Sequence, residues 1–594
     1  MPKELLSTLC IAVIAMTMAA EEKAWPFIVI RHTETINKHP EVFEQLIDCH
    51  RRHRGACDEF WFATSDRDKP DIVARSCAEF ARFRPLCEEV GIALSYQQGM
   101  TLGHGGVHDR KPSSAEETLS SEVWQRDRDG NAMRFLCPRS PEVLAYERAY
   151  AKAVIGSANP ASYWLDDDMR LGVSKPKGCF CDRCIAAFNA KTGGNWTRET
   201  LTARLFSQAI REPVRAAWLD FNAESLAVYA AAVREAADEL RSPCRLAYQA
   251  VATDATYTAS SFRPLFEALS GKSCRPVGVR PGAGYYIEAE PRGMVKACLG
   301  VSREAERCRD YGNLVASVCY EQETYPRHVL QKSPGAIMTE CALALASGCD
   351  SLSLYWYAQE SPEPIGEYDR FVKTLAAARP YFERLSVSTR RTRLGGVARF
   401  LGSAALELAT FNLRDAKDFE LACIGIPVTV AEAKPKVWYL TEKSRDALTE
   451  ADNALFENGC VVKVDDIEQY PLASRRAKLL DDLDVATRGN FPVRIDAVRP
   501  LRVLPRVLPD GRLDSVTILN LSIGDTDELK VRIRNPVSDS AIIQGVKHAP
   551  SPITVERCLA KNERMVTIPN LPGWQIVTIF FEDLGRHPSD VVSF

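Results

Sequence analysis

From Trp25 to about Ser386 short apolar runs alternate with amphipathic stretches. The runs fall at 27–30, 59–63, 91–96, 161–166, 244–249, 276–279, 314–320 and 350–357. Each is rich in β-branched or aromatic residues and bounded by polar or turn residues, the pattern of a buried strand. Between them lie helical patterns. In 140–155, Ser140 stands at a capping position and Pro141 at the first helical one. In 225–240, apolar residues recur at three- and four-residue spacing.

Eight strands alternating with helices over this span predict a (β/α)8 TIM barrel over 25–388, with a doubly wound sheet as the alternative. From 389 to 495 the signals are those of a small α/β domain. From 496 to 594 short strands with turns predict an antiparallel, sandwich-like β domain. Barrel active sites sit at the carboxyl ends of the strands, so the residues after each run are the candidates. They are polar: Arg31-His32-Thr33-Glu34, Tyr96-Gln97-Gln98, Asp166-Asp167-Asp168-Met169-Arg170, Arg280 with Tyr285-Tyr286, Glu321 to Arg327, and Tyr355-Trp356-Tyr357. Carboxylates and amides bond sugar hydroxyls and aromatic faces stack on pyranose C–H faces, so this rim reads as a glycan site. Arg31, His32, Asp167, Arg170, Arg280, Glu323, Tyr325 and Trp356 are its candidate binding residues.

Charge narrows the partners. Lys plus Arg is 75 and Asp plus Glu 78 in 594 residues, a net −3, which argues against a basic nucleic-acid binder. No internal run is long enough to span a membrane. Residues 5–20 follow Lys3 and end in Ala19-Ala20, a short signal peptide over 1–20 that predicts a secreted or periplasmic enzyme. A start at Met16 or Met18 gives a cytoplasmic chain instead, and the odd count of 19 cysteines leans that way.

Cleaving a glycosidic bond takes two carboxyl groups, one protonating the leaving oxygen and one attacking or activating water. Asp168 and Glu321 lie 153 positions apart in sequence yet on one predicted rim. Adjacent aspartates raise at least one pKa, which favours a proton donor near neutral pH. If the strand runs on, Asp166 and Asp168 share a side and Asp167 takes the other. Asp167 and Glu323 remain alternatives for the two roles. A catalytic cation on Asp166, Asp167 or His32, and a barrel that binds carbohydrate without cleaving it, are the other readings.

Cys179, Cys181 and Cys184 place three thiols in six residues. Cys137, after the neighbouring third strand, is the natural fourth ligand of a closed structural Zn site. Reduced thiols or a disulfide are the alternative.

The order CPRSPE, acidic strand end, CFCDRCIAAFNAKTGGNW resembles the β-galactosidases of glycoside hydrolase family 42, which show Cys-Pro-x-Ser-Pro, a strand-four Asn-Glu and Cys-x-Cys-x-x-Cys. The stretch Tyr320-Glu321-Gln322-Glu323-Thr324-Tyr325-Pro326 is similar to the family's Met-Glu-Gln-x-Pro, and 335–357 to its final helix and strand. The resemblance implies a retaining hydrolase with Glu321 as nucleophile and Asp168 as acid/base. It further implies Zn on Cys137, Cys179, Cys181 and Cys184, and a homotrimer. Asp167-Asp168 replaces the family's Asn-Glu, and an ionised Asp cannot donate to a sugar 2-hydroxyl as Asn does. Four rim arginines (Arg31, Arg170, Arg280, Arg327) open a rival: an exo-acting, sialidase-type hydrolase whose arginine binds an acidic sugar's carboxylate. That rival needs one of them unpaired and facing the pocket.

Overall fold

A computed structural model describes residues 25–582, apart from 34–35, 37–38, 65–66, 104–113, 173–175, 251–258, 283, 358–362, 401–404, 409–416, 430–436, 441–447, 459–460, 465–472 and 560–561. The segment read as a signal peptide lies outside the described residues, as does Glu34.

All eight apolar runs are strands: β1 (Ile28–Thr33), β2 (Glu59–Thr64), β3 (Ala93–Gln98), β4 (Ser162–Leu165), β5 (Arg245–Ala250), β6 (Val277–Pro281), β7 (Val315–Glu323) and β8 (Ser351–Tyr355). They close in sequence order into one parallel barrel, with β1 pairing both β2 and β8. Helices cover its outer face. Several start with Pro in the first turn, where its missing N–H is no loss, among them Pro141–Ala158, Pro213–Glu239 and Pro334–Ser347. Ser140 does precede the first of these in extended conformation, but its side chain makes no capping bond.

The lumen is filled by Val29, Trp61, Trp164, Ala247 and Cys319 from five of the eight strands, with Trp25 packed against them. Gly278 is required there, since a Cβ would lie 2.4 Å from the Trp25 ring. The barrel is therefore plugged by indoles at its amino end, and only its carboxyl end is polar.

Beyond the last barrel helix (Ile365–Arg391) the chain makes a two-residue strand, Arg393–Leu394, antiparallel to Leu501–Val507. A three-stranded parallel sheet with helices follows, the expected α/β unit. The β sandwich consists of a six-stranded and a four-stranded sheet. After the α/β unit it resumes at Val493–Ile495, which pairs with Leu529–Arg534, so these residues belong to the sandwich and not to the unit before it. Among the described residues no helix is long and apolar enough to cross a membrane.

Candidate active site

Side chains alternate along a strand, so two residues beyond the lumen layer point inward again. That step leads to Arg31, Asp166, Gln249 and Glu321. Arg280 on β6 ties them together. Its guanidinium forms an ion pair with Glu321, donates to Gln249 Oε1, and lies 3.5 Å from Asp166 Oδ1. Arg31 Nη1 stands 3.8 Å from Glu321 Oε1, with its guanidinium 4.7 Å over the Tyr355 ring. Two guanidiniums therefore flank the one carboxylate.

The strand-four aspartates do not continue the strand. β4 stops at Leu165, and the Met169 N–H donates to the Asp166 carbonyl in a turn. Asp166 and Asp167 therefore both face Arg280, and Asp168 is swung aside. The alternation expected across the three aspartates fails for this reason. Asp168 is buried, bonds Arg170 at 3.2 Å, and its carbonyl accepts the Leu102 and Gly103 N–H groups. Asp167 meets Glu321 at Gly282: a Cβ there would lie 3.1 Å from Glu321 Oε2 and 4.0 Å from Asp167 Oδ2. Glycine thus leaves open the space that the two carboxylates flank.

The aspartates titrate apart. Burial, then the Asp167 and Asp168 charges, hold the Asp166 carboxyl well above the usual range. Burial acts the same way on Asp167, but Arg280, the Asp166 hydrogen bond, Arg170 and Arg31 outweigh it and draw Asp167 below that range. Within the pair the proton is thus drawn toward Asp166 and away from Asp167.

Other expected binding residues are placed differently. His32 has the opposite parity to Arg31 and is buried outside the barrel, 4.5 Å from the Phe60 ring and 6.0 Å from Phe43. Burial, then His50, lowers its pKa to about 3. It is a core residue packed on the outer side of the barrel wall, away from the cleft that Arg31 faces. Trp356 is likewise outward, stacked on Phe371 at 4.8 Å with Nε1 donating to the Lys332 carbonyl. Exposed aromatic surface comes instead from Tyr325 (59%) and Tyr286 (41%), whose rings lie 6.2 Å apart. Arg327 bonds Glu323 at 3.1 Å and covers Tyr355 at 4.2 Å. All four rim arginines are thus committed to carboxylates. Lys332 had no signal in the pattern. Its buried Nζ donates to the Tyr285 carbonyl (2.5 Å), the Glu323 carbonyl (3.1 Å) and Glu340 Oε2 (2.7 Å), joining the loop after β6 to the tip of β7.

Cys137, Cys179, Cys181 and Cys184 converge as expected, their sulfurs within 4.8 Å of one another and all buried. Cys137 Sγ lies 3.8 Å from Cys181 Sγ and 3.5 Å from Cys184 Sγ, spacings compatible with sulfurs ~2.3 Å from a shared tetrahedral ion. None is in a disulfide. Around them Phe180 stacks on Trp218 at 5.0 Å, and Trp218 Nε1 and Asn222 Nδ2 both donate to the Lys177 carbonyl. The cluster lies where the segment after β4 meets the end of the hairpin of Trp124–Arg126 and Ala132–Leu136.

The class defined by this architecture is a closed parallel (β/α)8 barrel followed by a small α/β unit and a β sandwich. No protein-family model matches the chain, and no curated protein matches it by sequence. Among solved structures, α-L-fucosidase isoenzyme 2 from Paenibacillus thiaminolyticus is similar at TM-score 0.59 and 10% identity, over 94% of this chain and 100% of that one. The GH42 β-galactosidase Gan42B is similar at TM-score 0.56 and 9% identity, over 94% and 98%. At these identities the shared property is the fold, and it includes the architecture of the family that the motifs resemble.

Proposed function

We propose that the chain is a glycoside hydrolase removing a terminal neutral sugar, β-galactosidase-like and retaining. Glu321 is the nucleophile, and the Asp166–Asp167 pair supplies the proton. The observation that carries this is Gly282: Glu321 and Asp167 flank one open point, with Glu321 beside two arginines and a proton held next to Asp167. Glu321 attacks the anomeric carbon while the pair protonates the leaving oxygen; the same pair then deprotonates the water that releases the sugar. The acid role thus moves from Asp168 to its two predecessors, because Asp168 is turned onto Arg170.

The fold neighbours named for a fucosidase and a β-galactosidase support a neutral terminal sugar. The acidic-sugar alternative required an uncommitted rim arginine; each of the four has a carboxylate partner. The test is hydrolysis of nitrophenyl β-galactoside and α-L-fucoside beside a sialoside, with the first-formed anomer read by NMR. Turnover of a neutral glycoside with retained configuration is expected; cleavage of the sialoside alone would overturn the reading.

We also propose that Cys137, Cys179, Cys181 and Cys184 hold one structural Zn that pins the segment after β4. Metal analysis of reduced protein should find about one Zn per chain. Cys181→Ser should lose it together with thermal stability, since binding and folding are coupled.

A further inference from the structure

A cavity of about 670 Å³ lies at the end of the barrel opposite the candidate active site, between the amino ends of β7 and β8, the end of the last barrel helix and the sandwich. Its volume falls in the range of small-molecule sites, ~300–1,000 Å³. Arg309, Arg390, Arg391 and Arg393 line it; Asp350 is the one carboxylate on its wall among the described residues.

The arginines are unevenly neutralised. Arg391 pairs with Asp514 at 2.6 Å, and Arg393 with Asp310 at 2.8 Å and Glu306 at 3.3 Å. Among the described residues Arg390 has only Asp350, at 3.6 Å, and is 55% exposed. Arg309 has no carboxylate partner among the described residues. Its Nη atoms donate to the carbonyls of Thr389, Thr392 and Gly348, and its Nε is buried without a hydrogen-bond partner. Arg506 behind it donates to the same Thr389 and Thr392 carbonyls. Two guanidiniums are therefore held side by side by backbone oxygens; Arg506 also has Glu306 at 4.0 Å, whereas the oxygens around Arg309 orient it without neutralising it. The rest of the wall is mixed: Val315, Phe491, Pro492 and Leu508 give it an apolar part, and Thr429, Thr487 and Asn490 a polar one.

We infer that this cavity is a second binding site, for a small molecule bearing a phosphate, sulfate or carboxylate group on a compact body. The oxyanion sits against Arg309 and Arg390, and the body lies on the apolar part of the wall. Such a ligand bridges barrel and sandwich. Its site is on the face of the barrel associated with stability, so it acts by holding the domains together and not in turnover.

The test is thermal unfolding of the full chain with millimolar phosphate, sulfate or citrate against sodium chloride at matched ionic strength, in wild type, Arg390→Gln and Arg390→Glu. At least one oxyanion should raise Tm in wild type beyond chloride. Arg390→Gln should weaken its apparent Kd at least ~10-fold, and Arg390→Glu abolish the shift. The three arms tell phosphate, sulfate and carboxylate apart. No difference from chloride in wild type, or equal affinity in all three chains, would overturn the inference. Anomalous diffraction from a selenate soak is a readout that needs no variant: selenate between Arg309 and Arg390 supports the site, and selenate only elsewhere refutes it.

Discussion

At the carboxyl end of the barrel five carboxylates (Asp166, Asp167, Asp168, Glu321, Glu323) share four arginines (Arg31, Arg170, Arg280, Arg327). At the amino end five arginines (Arg309, Arg390, Arg391, Arg393, Arg506) share four carboxylates (Glu306, Asp310, Asp350, Asp514). Both clusters are partly dry, so the unmatched charge shows in titration. Burial and neighbouring aspartates push Asp166 up at one end; burial and Arg309 bring Arg506 down to about 9 at the other. Where acid is in excess, a proton is retained next to an open space, which is what bond cleavage at neutral pH requires. Where base is in excess, the surplus is met by an anion from outside.

If this contrast is right, the two ends respond differently to loss of one charge. The largest effect is expected for Glu321→Gln. It should lower kcat/KM on an aryl glycoside by ~10³-fold or more, with the fold intact by circular dichroism. Asp167→Asn should lose ~10²–10⁴-fold on a poor leaving group and much less on an activated one. Asp168→Asn should retain turnover; if it alone abolishes activity, the acid is Asp168 after all. Arg390→Gln at the other end should leave turnover unchanged.

Next comes Lys332→Met, which strands the buried Glu340 carboxylate and should cost ~3–5 kcal/mol in denaturant unfolding. Lys332→Met/Glu340→Leu should recover part of that. Full stability of the single variant would show that the rim loops are not tied through this ammonium.

The smallest effect is a shift in pH profile. Asp166 must keep its proton to serve as donor, so activity falls as pH rises through its elevated pKa. The Asp168 charge is one cause of that elevation. Asp168→Asn should move the alkaline limb of kcat/KM to lower pH, and an unmoved or raised limb would disconnect the aspartates.

The barrel was legible because each of its strands is a short apolar run with a polar end, and all eight runs became strands. Glu321 and the cysteines were legible for a similar reason: a strand tip and a tight spacing are local properties. What failed was parity. His32 and Trp356 stand one residue from inward positions, and only the lumen layer of Trp61, Trp164 and Cys319 reveals which alternate residues face the cleft. Counted from that layer, Asp166 and Glu321 are inward and His32 is not. The turn after Leu165 was out of reach of strand alternation, because it depends on the Asp166 carbonyl finding the Met169 amide. Lys332 was invisible because its three acceptors come from three separate elements.

The two-residue strand Arg393–Leu394 has one more implication. It joins the sandwich before the middle α/β unit begins, and the sandwich resumes at Val493. A Cβ on Gly395 would lie 3.3 Å from the Pro492 ring, so the unit leaves and re-enters through a single gate. It is a cassette spliced into the sandwich. Trading it for a relative's version at these two residues is the natural way to re-engineer the molecule, whereas cutting near position 389 would tear the edge from a sheet.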